Sequence, residues 1–427
     1  MRKYIIPILL GILVSFFFFF FQFRFLPALL NTKNVIAVIG ITLFAFKCLQ
    51  EHSILLTRRT IISGLIAVLF SIWCLYSITA NGTSDDSYTT YWRSFLIWLS
   101  GAYCVCSFLR SRYGSITLPL LIRFLAIVCV AQCIIAVLND NVPAIKNLTD
   151  LLVVGGPEFY DSIDRMYGFG AALDSAGVVF CVVLVLLAYQ ITRWRESSEG
   201  NSKILIGLLV AFVVITIVGN MMARTTTIGA VIGLVYLLFS YFRFQKGGYI
   251  QTSVLRFFAI FVLILAIFVV VGIILYNTNP NIRSDLRFAF EGFFNWAETG
   301  EFSTGSTDKL NSTMWIWPET TRGWMIGNGI FGLYEYSTDI GYCRFVLYCG
   351  IIGLSIFSMF FLYNHLAIRS KFKNSSLLAL CLIALTFIIW IKVATDIFFI
   401  DALLFCIDED PEHKEEEAPT GPELTEA

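Results

Sequence analysis

Apolar residues in this chain fall in long runs separated by polar connections. Runs lie at 4–22, 34–50, 60–79, 94–109, 116–138, 168–190, 203–222, 226–242, 254–276, 340–363 and 376–395. A helix rises about 1.5 Å per residue and needs roughly 20 mostly apolar residues to cross a bilayer core. Open sheet edges cannot sit in lipid, so the runs should be helices. A last apolar stretch at 397–407 (IFFIDALLFCI) is short for a crossing and reads as a twelfth, incomplete span. The pattern predicts an all-α fold: a polytopic transmembrane helical bundle of about 11–12 helices, with a large outer loop that contains short helices.

Composition agrees. Hydrophobic residues make up 57% of the 427 and charged residues 14%, against about 25% charged in a soluble domain. This excludes a soluble enzyme, a disordered chain and a nucleic-acid binder with a basic surface. The 30 basic residues set the expected orientation. With the N-terminus inside, 17 of them fall on the inner side and 7 on the outer connections other than the longest one. That bias predicts a cytoplasmic N-terminus. Met-Arg-Lys followed by an apolar run could be a signal peptide. No small-x-small site follows Phe21, so a retained first helix is expected. Residues 1–407 read as the membrane unit. Residues 408–427 are acidic, lack an apolar run and read as a disordered cytoplasmic tail. The 11 cysteines fall almost entirely in apolar runs without zinc-ligand spacing, so they read as small hydrophobes.

Two outer connections, 139–167 and 277–338, are long enough to carry function. In the second, Ile282, Leu286, Phe290, Phe293 and Phe294 recur at helical spacing among Arg283, Asp285, Arg287 and Glu291. That predicts either a helix on the membrane surface or a packed loop helix. Five outer arginines carry candidate chemistry: Arg165 before the sixth run, Arg224 between two runs with almost no loop, Arg287 and Arg322 in the long loop, and Arg344 at the start of the tenth run. A planar guanidinium fork suits a diphosphate. The competing role for each is an ion pair with Asp164, Asp174, Glu335 or Asp339. Function is favoured at Arg224, which has no local carboxylate and lies at the membrane edge. Arg24 and Arg93 lie at helix ends, where they can snorkel.

Other signals are weaker. Gly327-Asn328-Gly329-Ile330-Phe331-Gly332 matches G-x-G-x-x-G, but it follows no strand and is no dinucleotide site. It reads as a flexible approach to the tenth helix. Gly229 and Gly233 suit close helix packing. Asn81, Asn147 and Asn311 begin sequons, which chance also supplies. His52, His365 and His413 all fall on the inner side of this topology, so no outer His base is expected.

Three elements together resemble the bacterial O-antigen and capsule polymerases (Wzy-type), which are related to the O-antigen ligases. Arg165-Met166-Tyr167-Gly168-Phe169-Gly170 is similar to the family's R-x-x-G element. Ala223-Arg224-Thr225-Thr226 with Ile228-Gly229 is similar to its S-R-T/G element. A long outer loop ends in Gly327-Asn328-Gly329 and Ser337-Thr338-Asp339-Ile340-Gly341-Tyr342, with Gly350-Ile351-Ile352-Gly353 in the next helix. The likeness covers about 155–355. The ligases carry a His near the loop's end where this chain has Asp339, which argues for a polymerase.

The resemblance implies a periplasmic reaction at the bacterial inner membrane. A glycan on undecaprenyl diphosphate would be joined to a second lipid-linked repeat unit. No metal or other cofactor would be required, and a flippase and a chain-length regulator would be partners. Cations would stabilise the departing diphosphate: Arg165 and Arg224, with Arg287, Arg344 or Arg322. Asp339, then Glu335, would receive or orient the acceptor proton, unless Asp339 only caps its helix. An O-antigen ligase and a lipid-linked-sugar flippase or other secondary transporter are the alternatives.

Overall fold

The computed structural model describes residues 2–54, 56–154, 165–196, 202–243, 252–332, 336–372 and 375–409. Within them the fold is helical, with no strand longer than the isolated Phe23–Val153 bridge. The helices are α1 (Arg2–Phe18), α2 (Thr32–Glu51), α3 (Arg58–Asn81), α4 (Tyr91–Tyr113), α5 (Leu118–Asn141), α6 (Pro143–Leu152), α7 (Leu173–Glu196), α8 (Ser202–Met222) and α9 (Thr226–Arg243). They continue as α10 (Thr252–Thr278), α11 (Pro280–Ala289), α12 (Glu291–Thr299), α13 (Gly305–Thr313), α14 (Thr321–Ile326), α15 (Gly341–Arg369), α16 (Ser376–Lys392) and α17 (Phe398–Cys406).

Eight of these are long and apolar enough to cross a membrane, and three shorter apolar helices cover Ile5–Phe18, Thr226–Ser240 and Ser376–Lys392. The chain is thus a multi-pass membrane protein, and each of the eleven runs read from the sequence contains a helix. One end of the bundle, the loop face, carries α6 and α11–α14. At the opposite face Arg110 pairs with Asp408 at 2.7 Å and Arg59 pairs with Glu409 at 2.6 Å. Asp408 and Glu409, read from the sequence as the start of a disordered tail, are instead held by fixed cations. The remainder of the tail, His413 included, lies outside the described residues.

The centre of the bundle is α7, packed against α5, α8, α9 and α16. Backbone proximity allows this packing. A Cβ at Gly229 would fall 2.2 Å from the Cys181 Cα, so α7 and α9 touch main chain to main chain.

Two helices are interrupted. At Gly350 α15 has φ +68°, a conformation glycine tolerates, and the helical ladder breaks there. Three carbonyls before the break find partners elsewhere. Asn328 N–H donates to Leu347 O at 2.6 Å, Gly329 N–H to Tyr348 O at 3.0 Å, and the Trp73 indole to Cys349 O at 2.8 Å. The 327–332 segment is in turn pinned by one side of the α3–α4 connection. Asn81 donates to Gly327 O, Thr83 donates to Gly329 O, and Asp85 accepts from Phe331 and Gly332 N–H at 2.6 Å each. The glycine motif is therefore a fixed plug rather than a flexible approach. Asn81 is held inside this ladder, which removes it as an attachment site.

The second interruption separates α16 from α17. Residues 393–397 are non-helical, and α17 has 9 residues, roughly 14 Å of helix at 1.5 Å per residue. The short run at 397–407 is accordingly a half-span. Lys371 Nζ donates to Leu404 O and Phe405 O at 2.9 Å each and also to Ile407 O at 2.5 Å, capping α17 at the opposite face. Within the half-span, Asp401 is fully buried against His365 at 3.2 Å.

Candidate functional site

The site forms where the α8–α9 corner meets the start of α7 at the loop face. Only Ala223, Arg224 and Thr225 separate α8 from α9, and the N–H of Thr226 donates back to Ala223 O at 3.0 Å. This tight corner holds Thr225 fully buried, where its hydroxyl donates to the Asp174 carboxylate in the first turn of α7. Asp174 is thereby anchored from two helices. Its charge acts on Arg165, which lies just before α7, and on Lys392, the last residue of α16.

The long loop closes over this point. Arg224 Nη1 is paired with Glu291 of α12, with side-chain exposures of 16% and 30%. The guanidinium carbons of Arg165 and Arg224 lie 4.9 and 4.3 Å from the centroid of a single ring, Phe288 of α11. Such stacking stabilises a cation while leaving its N–H fork available for an anion. Burial lowers the basicity of Arg165, Asp174 opposes that, and Arg224 adds to the lowering. Arginine remains charged under such a shift, so Arg165 and Arg224 are two fixed cations beside Asp174 and Glu291, with Lys392 within electrostatic reach of them.

The structure thus brings together Arg165 and Arg224 from the sequence-based set. Arg224 does have a carboxylate partner, contrary to expectation. Glu291 stands 67 positions away, too far for a local reading to pair them. The other arginines are engaged elsewhere. Arg287 donates to both oxygens of Glu298, at 2.8 and 2.6 Å, on an exposed surface. Arg322 donates to Ala80 O at the end of α3. Arg344 donates to Phe331 O at 2.6 Å and stacks on its ring at 4.1 Å, steadying the plug. Asp339 is exposed, and the N-cap of α15 is Ile340 with no side-chain cap bond, so Asp339 does not cap that helix. Glu335, like Asp164, lies outside the described residues.

The amphipathic loop segment resolves into two helices. α11 buries Ile282, Asp285 and Ala289 and packs on α8 and α10, as a loop helix does. Past the break at Phe290, α12 exposes Phe293 at 62% and Trp296 at 60%, as a surface-lying helix does. Trp315, Trp317 and Trp324, later in the same loop, form a further exposed group, with the Trp317 and Trp324 rings stacked 5.3 Å apart.

Two ionisable residues on this side were not singled out as candidates in the sequence: Lys392, counted only as an outer lysine, and Asp396, four positions on. The signal that could have found them is a lysine and two aspartates (Lys392, Asp396, Asp401) inside an otherwise apolar stretch, since ionisable residues there are costly. Compared with family models, curated proteins and solved structures, the chain matches none.

Proposed function

We propose that this protein is a polysaccharide polymerase of the bacterial inner membrane, with the N-terminus cytoplasmic and the loop face periplasmic. It would transfer a glycan from undecaprenyl diphosphate onto a second lipid-linked repeat unit. The observation that carries the reading is the convergence of Arg165, Arg224 and Lys392 at the membrane edge beneath a long loop. Negative charge accumulates on a departing diphosphate, and fixed, partly desolvated cations aimed at it lower the barrier most. Glu291 occupies Arg224 at rest and gives way to the phosphate oxygens. Lipid anchoring keeps donor and acceptor in one plane, which raises their effective concentration.

The test is Arg224→Ala in cells. The protein should remain in the membrane, single repeat units should still be displayed outside, and long chains should vanish. A normal chain-length ladder contradicts the proposal. One observation favours a second reading, a transporter for a lipid-linked sugar: the helices interrupted at Gly350 and at 393–397 are of the kind that transporters place at their binding sites. Deleting a transporter would strand the repeat unit on the cytoplasmic leaflet, whereas deleting a polymerase leaves it outside.

A further inference from the structure

Beside the cation cluster lies a cavity of about 370 Å³, within the range of small-molecule sites, roughly 300–1,000 Å³. Its lining includes the aromatic residues Phe19, Phe21, Trp98 and Phe399 and the polar residues Ser175, Thr395 and Asp396. Asp396 sits in the non-helical stretch between α16 and α17. The N–H of Phe398 donates to its Oδ1 at 3.0 Å, which fixes the carboxylate. The Lys33 ammonium lies 4.6 Å from the centroid of the Phe20 ring and 4.9 Å from that of Trp98, two lining residues, and its charge reaches Asp396.

Aromatic faces pack on the C–H side of a pyranose, and a carboxylate accepts from its hydroxyls. A purely lipid-filled cavity would need no fixed carboxylate in its wall, where an unpaired charge is costly. Placement joins the cavity to the cation cluster twice. Asp396 lies on the unwound stretch that follows Lys392, the last residue of α16, and the wall residues Leu173 and Ser175 flank Asp174.

We infer that this cavity holds the terminal sugar of the acceptor and that Asp396 takes the proton of its attacking hydroxyl. The inference rests on the polymerase reading and replaces Asp339 as the base. In the step, the hydroxyl oxygen forms a bond to the donor's anomeric carbon as the carbon–oxygen bond to diphosphate breaks. The electron pair leaves on the diphosphate beside Arg165, Arg224 and Lys392, and the hydroxyl proton passes to an Asp396 oxygen.

The experiment uses the full chain in lipid nanodiscs. The probe is the lipid-linked oligosaccharide extracted from a strain lacking this gene, and binding of inorganic diphosphate is measured in parallel. Wild type should build a ladder. Asp396→Asn should retain diphosphate binding and slow extension at least about 100-fold, the usual scale of general-base loss. Ser175→Trp fills the cavity without altering the carboxylate and should stop extension with diphosphate binding intact. If Asp396→Asn fails to fold, Ser175→Trp alone decides. Wild-type extension in either folded variant, with Arg224→Ala inactive, overturns the cavity inference and leaves the polymerase reading standing. A wild-type protein that builds no ladder overturns both.

Discussion

α7 and α10 are both apolar spans of similar length, yet 94% of α7's apolar window is buried in the protein and only 6% of α10's. The more hydrophobic helix is the more exposed one. In a membrane, burial is not driven by hydropathy, because lipid tails are as apolar as leucine. Large aliphatic side chains on α10, such as Val262, Leu263 and Ile267, face outward. α7 is placed at the centre by close backbone approach, at Cys181 against Gly229 and at Gly177, where a Cβ would lie 2.9 Å from the Ala223 Cβ. It also carries Asp174. The site therefore grows from the helix whose position is over-determined, which is what holding charges at fixed separations requires.

The largest test of this contrast uses two glycines. Gly229→Leu must push α7 and α9 apart and should leave no folded protein by size-exclusion chromatography. Gly272→Leu in α10, where a Cβ meets nothing within 4 Å, should be silent. Equal behaviour of the pair would break the comparison. Next in size, Phe180→Ala removes a fully buried ring of α7 and should lower stability by about 3–5 kcal/mol. Leu263→Ala, 60% exposed on α10, should shift it by less than about 0.5 kcal/mol. Thermal unfolding in detergent reads both.

A smaller effect is expected at the plug. Partial burial pushes the Asp85 carboxyl up. Hydrogen bonds from the Ser87 hydroxyl and from the N–H groups of Gly332, Phe331 and Ser87 outweigh this and hold it below the usual carboxylate range. A carboxyl depressed in the folded state adds stability that is fully present above its unfolded value, about 3.9. That stability is lost as pH falls through the lower folded value. Asp85→Ala should cost about 1–3 kcal/mol at neutral pH and should flatten the acid limb of a stability–pH curve. An acid limb unchanged in the variant would remove Asp85 from the account.

The spans were legible because apolar run length is set directly by bilayer thickness. Arg224 and Arg165 were legible because a charge at the membrane edge stands out against its neighbours. What the sequence concealed is long-range. Glu291 meets Arg224 only after the long loop folds back. Lys392 joins them only because α16 ends where α7 begins. The run read as 376–395 hid the start of the interruption at 393–397, because Val393 and Ala394 are apolar, and Gly350 looks like an ordinary packing glycine until the 327–329 backbone is seen filling the break. Arg287, Arg322 and Arg344 stand beside Arg224 as candidates in the sequence, and their partners (Glu298, Ala80 O and Phe331 O) place them elsewhere.

The central claim is that Arg165, Arg224 and Lys392 form a diphosphate site restrained by Glu291. Its most direct test is the affinity of the purified protein for inorganic diphosphate, with two variants of opposite expected sign. Arg224→Ala should weaken binding at least about tenfold, about 1.4 kcal/mol. Glu291→Gln, which frees the guanidinium and removes a competing anion, should tighten it. Affinities unchanged in both variants would contradict the account.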